Sequence, residues 1–143
     1  MNSSGNIRDA RVNIESRHIL LLDDELAVRV ALARVLKRNG YQCTTAHTGE
    51  EALEIVKSAI LKNTHFDLAI LDIKIFGGMD GIETMQKMKD LGSKIPMISM
   101  SGYDTEDLFS SDKDRTGFAG HLQKPFDKFE LLNEIERFCP LSS

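Results

Sequence analysis

At 143 residues the chain is long enough for one compact domain with its own core and too short for two ordinary ones. A composition of 41% hydrophobic and 28% charged residues is that of a globular protein, while a net charge of -4 argues against a basic nucleic-acid-binding surface. The longest apolar stretches fall well short of the roughly 20 residues needed to cross a bilayer, and the N-terminus lacks the apolar core of a secretion signal, so the expected setting is the cytoplasm.

Residues 1–16, MNSSGNIRDARVNIES, mix polar, charged and small side chains without a sustained period and are expected to form a mobile tail ahead of a domain over 17–139, with 140–143 as a short C-terminal tail. The domain opens with HILLL (18–22), a strand. ELAVRVALARVLKRNG (25–40) follows, with Val28, Leu32, Val35 and Leu36 at helical spacing and Gly40 as a stop. YQCTTAH (41–47) reads as the second strand; its Cys43 has no metal-ligand spacing to Cys139, and a reducing compartment keeps both as thiols. TGEEALEIVKSAILKN (48–63) places Ala52, Leu53, Val56 and Ile60 on one helical face, with Thr48 and Glu51 spaced as a capping box. FDLAIL (66–71) is the third strand, GIETMQKMKDLG (81–92) a helix with Ile82, Met85 and Met88 inward, and KIPMISM (94–100) the fourth strand. Residues 104–117, DTEDLFSSDKDRTG, carry only Leu108 and Phe109 as large apolar residues, the weakest helix of the set. GFAGHLQ (117–123) is the fifth strand, ahead of a last helix lined by Leu131, Ile135 and Phe138.

Strands alternating with helices imply a parallel sheet covered on both faces, because parallel neighbours need crossover helices and doubly buried strands read as continuous apolar runs. Ligands of such sheets bind beyond the carboxyl ends of the strands. Those positions hold Asp23, Asp24 and Glu25 after the first strand, Asp72 after the third, Ser101 after the fourth, and Lys124 with Pro125 after the fifth. Singly, each has an ordinary explanation: a helix start, a strand end, a cap, a solvated charge. Together they form a constellation that capping does not predict. Carboxylates a few ångströms apart repel by about 4 kcal/mol at an effective dielectric of about 20 and call for a cation. Ligands that are all oxygen, with no His or Cys nearby, suit Mg2+ best. With Asp24 and Asp72 on the metal, Lys124 and Ser101 would contact phosphoryl oxygens, which leaves Asp72 as the nucleophile that forms an acyl phosphate.

The paired acids of LLLDDE, the strand-end aspartate of LAILDIK, MSGY after the fourth strand and LQKPF after the fifth resemble, in order over residues 17–138, the receiver domain of two-component response regulators. The resemblance implies a flavodoxin-like doubly wound α/β fold, a five-stranded parallel sheet of order 2-1-3-4-5 with five helices. It implies a Mg2+-dependent phosphoacceptor switch rather than a turnover enzyme. Asp72 falls on the phosphoacceptor, Asp23 and Asp24 on the acidic pair that holds Mg2+, Lys74 on the position whose main-chain carbonyl completes the metal site, and Ser101 and Lys124 on the family's hydroxyl and lysine. The implied partners are a histidine kinase or histidine phosphotransfer protein and a downstream protein target, with no direct contact to nucleic acid or membrane. The expected state is a monomer or a weak phosphorylation-dependent dimer.

Two positions depart from the family pattern. Phe76 stands where a proline usually follows the acceptor by four residues, and Gly77 and Gly78 lengthen the loop by one, which leaves it less pre-ordered. His121 stands where the family often carries a Tyr or Phe that swings inward as a switch, beside Ser101; a histidine there is polar and titrates near neutrality. The last helix is followed only by PLSS, so no output module is expected and signalling is expected through binding or relay; the partner surface is expected over residues 104–122 and the last helix. A binding module that has abandoned phosphorylation is the alternative. A haloacid-dehalogenase-type phosphatase would need a second aspartate two residues after Asp72, where Lys74 stands.

Overall fold

The computed structural model describes residues 17–102, 108 and 112–140. Of the expected tails, 1–16 and all of 140–143 but Pro140 lie outside the described residues, as do residues 104–107 and 109–111 of the predicted fourth helix. Strand β1 (Arg17–Leu22) is followed by α1 (Leu26–Arg38), β2 (Tyr41–Ala46), α2 (Gly49–Leu61), β3 (Leu68–Asp72), α3 (Gly81–Asp90), β4 (Met97–Ser101), α4 (Asp112–Thr116), β5 (Gly120–Gln123) and α5 (Lys128–Phe138). All neighbouring strands pair in parallel, in the order β2-β1-β3-β4-β5. This is the doubly wound sheet that the alternation and the resemblance led us to expect.

Because successive side chains of a strand point to opposite faces, each central strand feeds two cores. Leu20 and Leu22 of β1, with Ala69 and Leu71 of β3, pack under Ala52, Leu53 and Val56 of α2 and Ile82, Met85 and Met88 of α3. Ile19 and Leu21, with Leu68 and Ile70, face Leu36 of α1 and Leu131 and Ile135 of α5 on the other side. Each Leu, Ile, Val or Met side chain fully removed from water contributes about 1.5–3 kcal/mol, so the central strands have little freedom to slip in register. The ends of the sheet are therefore placed by the core.

Three local readings need adjustment. The Thr48 side chain does accept the Glu51 amide, but the Glu51 carboxylate turns to the His47 amide and ring, at 2.8 and 2.7 Å, rather than to Thr48. The reciprocal capping box instead opens α5, between Asp127 and Glu130. Ile60, expected on the inner face of α2, is exposed. Finally, α1 buries only Leu36 completely, and Val28 and Leu32 remain half-covered.

Candidate functional site

The carboxyl ends of β1, β3 and β4 and the turn after β5 meet at one rim. Asp23 directly follows β1 and is buried, with its amide donating to the Ala46 carbonyl at 3.1 Å and its Oδ1 accepting the Glu25 amide at 2.9 Å. Asp72 is the last residue of β3, also buried, and its Oδ1 accepts the Lys74 amide at 3.3 Å. Lys124 reaches across from the turn after β5: its Nζ lies 3.0 Å from Asp23 Oδ2 and 3.1 Å from Asp72 Oδ2. Ser101, the last residue of β4, is joined to the site through its main chain, its carbonyl accepting the Lys124 amide at 2.7 Å.

One ammonium stands between two buried carboxylates, and it cannot balance both. Burial is the main force raising the Asp72 carboxyl to about 7; Lys124 opposes it, and Asp23 adds to it. For Lys124 burial works against the charged form, yet the pull of Asp72 and Asp23 outweighs it and the ammonium is held more firmly than usual. Asp24 and Glu25 bring further negative charge to the same rim, and Asp23, Asp24 and Glu25 each offer an oxygen within 4.8 Å of the others. An all-oxygen donor set with surplus negative charge fits a hard divalent cation such as Mg2+.

Not every residue singled out from the sequence is in this cluster. Lys74 contributes its amide, while its Nζ lies over the Phe76 ring, 5.3 Å from the centroid. His121 stands apart: its Nδ1 is 2.6 Å from Ser99 Oγ, its amide donates to Glu134 Oε2 at 3.2 Å, and its ring meets Phe118 edge-on.

Other contributors make contacts that spacing along the chain does not show. Arg29 Nη1 donates to the Asp23 carbonyl at 2.9 Å and so fixes the β1–α1 turn from α1. The amide of Phe76 donates to Asp24 Oδ2 at 3.0 Å. Gly81 opens α3 directly above the Asp72 carbonyl, with its amide donating to the Ile73 carbonyl at 2.9 Å, and a Cβ there would overlap the Asp72 main chain. The glycine was visible in the sequence, but not what it approaches.

Residues 19–136 match the family model of the response regulator receiver domain. The chain is 37% identical over 125 residues to sporulation initiation phosphotransferase F of Bacillus subtilis, covering 87% of this chain and 95% of that protein. It is 34% identical over 119 residues to the transcriptional regulatory protein ZraR of Klebsiella oxytoca, covering 82% of this chain but only 25% of that one. Among solved structures, response regulator protein TrrA of Thermotoga maritima, in complex with Mg2+ and BeF, superposes with a TM-score of 0.69 at 27% identity, covering 85% of this chain and 98% of that one. The chain belongs to the response regulator receiver domain family. Its class is therefore that of the phosphoacceptor switches of two-component signalling. No helix among the described residues is long and apolar enough to cross a membrane.

Proposed function

We propose that Asp72 accepts the phosphoryl group from a phosphohistidine of a histidine kinase or histidine phosphotransfer protein. Mg2+ would be held by Asp23, Asp24, Asp72 and the main-chain carbonyl of Lys74. The observation that carries this reading is the buried Asp72 carboxyl, raised to about 7 and set 3.1 Å from the Lys124 ammonium. An oxygen of Asp72 forms the new bond to phosphorus as the bond to the donor imidazole nitrogen breaks, the electron pair leaving with that nitrogen and an acyl phosphate remaining on the protein. Mg2+ supplies neutralisation of the carboxylates and of the phosphoryl oxygens. Lys124, already between Asp23 and Asp72, pairs with the incoming phosphoryl oxygens as a point charge, and the Ser101 hydroxyl donates to one of them.

We assign the phosphodonor to the open groove that Ala27, Val28, Ala31 and Leu32 form with Pro125 and Phe126, since Lys124 lines the same groove and leads into the site. The half-covered face of α1 supports this placement. The output surface in this reading is α4, β5 with His121, and α5, acting by protein–protein contact in the cytoplasm. The deciding experiment is intact-mass analysis after incubation with acetyl phosphate, with and without Mg2+. One phosphoryl group is expected on the wild type with Mg2+, little without it, and none on Asp72→Asn. Undiminished labelling of Asp72→Asn would overturn the assignment.

A further inference from the structure

Asp24 follows a strand end on a short turn, and its carboxylate is held by a group from a different loop, 52 residues away. We propose that the main-chain amide of Phe76 is a positioning group for the cation site: by donating to Asp24 Oδ2 it locks the carboxylate and leaves Oδ1 for the metal. This deepens the reading above and rests on it. The path of the β3–α3 loop shows why the amide faces inward. Ile75 is buried and pins the loop to the core, while the Phe76 ring points outward, 73% exposed and beneath the Lys74 ammonium. Gly77, at φ +76°, then turns the chain away. With the ring outside and the backbone inside, the Phe76 N–H meets Asp24 at 3.0 Å.

The contact has two consequences. A donor on Asp24 offsets part of the repulsion from Asp23 and Glu25, whose oxygens lie within 4.8 Å of its own. It also removes rotational freedom that the carboxylate would otherwise lose on binding a cation, which is how groups outside the ligand set tune metal affinity. A proline at position 76 has no N–H to give, so the role belongs to this chain and not to receivers that carry proline here.

The test compares Phe76→Ala, which keeps the amide, with Phe76→Pro, which deletes it. Mg2+ binding is read by calorimetry and the fold by circular dichroism. Phe76→Ala is expected to bind Mg2+ within about twofold of wild type, and Phe76→Pro roughly tenfold more weakly. As a second measurement, independent of whether the proline variant folds, hydrogen exchange in Mg2+-free buffer should show the Phe76 amide protected in the wild type and unprotected in Asp24→Ala. Unchanged affinity in folded Phe76→Pro, equal losses in both Phe76 variants, or an unprotected Phe76 amide in the wild type would overturn the proposal. A wild type that binds no Mg2+ yet protects the Phe76 amide would overturn the cation reading itself, and this role with it.

Discussion

Asp72 is kept in a place where its charge is unwelcome. An ordinary carboxyl titrates at 3.8, and this one at about 7, chiefly because burial strips its water and only one ammonium serves both it and Asp23. Between those two values the folded chain binds more protons than the unfolded one, so stability falls as pH rises through that window. Asp72→Asn removes the titrating group. In EDTA at pH 8 the variant is expected to be more stable than wild type by about 1–3 kcal/mol, less than the full shift because Lys124 loses one partner. At pH 4 the difference should nearly vanish. Urea denaturation across pH 4–8 checks this, and parallel stability profiles for the two proteins would contradict it. Such a cost in stability at one residue is what the phosphoacceptor role proposed for Asp72 leads one to expect.

Among the elements, the segment from β3 through its loop into α3 carries Asp72 and sets a point of close backbone approach at Gly81 beside an open loop at Gly77. At Gly81 a Cβ would overlap the Asp72 carbonyl and crowd the Ile73 main chain, both backbone atoms that cannot swing aside. At Gly78 a Cβ would lie 3.3 Å from Glu50 Oε1, the far end of a flexible side chain. Gly81→Ala is therefore expected to cost about 2 kcal/mol or more and to slow phosphoryl acceptance by displacing Asp72, whereas Gly78→Ala should stay within about 0.5 kcal/mol. Equilibrium unfolding and acetyl phosphate labelling of the pair would decide it; equal behaviour of the two alanines would refute the close-approach argument. The existence and order of these elements were legible from periodicity, but the depth of their burial was not. The shallow seat of α1, with only Leu36 fully buried, depends on how the helix packs on the sheet, and neither Val28 nor Leu32 announces that in its own neighbourhood.

For the whole molecule, two apolar cores fix the strand ends at one rim, and the surplus of negative charge collected there is what an external cation would offset under the proposed function. A cation that binds only the folded form stabilises it by mass action, and protons compete with it for Asp72. Millimolar Mg2+ should therefore raise the melting temperature at pH 8 by several degrees and less at pH 6, where the carboxyl at about 7 is largely protonated. Asp24→Ala should lose most of the effect. Thermal scans at the two pH values test it, and a rise of the same size at both would show that Asp72 is not part of the cation site.

The amino-acid sequence by itself determined the alternation of apolar runs and amphipathic stretches, hence the parallel sheet and its covering helices. It also determined that Asp23, Asp72, Ser101 and Lys124 stand at strand ends. These features are written in residues close together along the chain, where spacing and turn chemistry decide the backbone. Only the tertiary structure decided which groups touch. Lys124 meets Asp23 across 101 residues and Asp72 across 52. The Phe76 amide meets Asp24, Arg29 meets the Asp23 carbonyl, and His121 turns to Ser99. Contacts of this kind are set by strand register and loop path, which only the packing of both cores against the whole sheet determines.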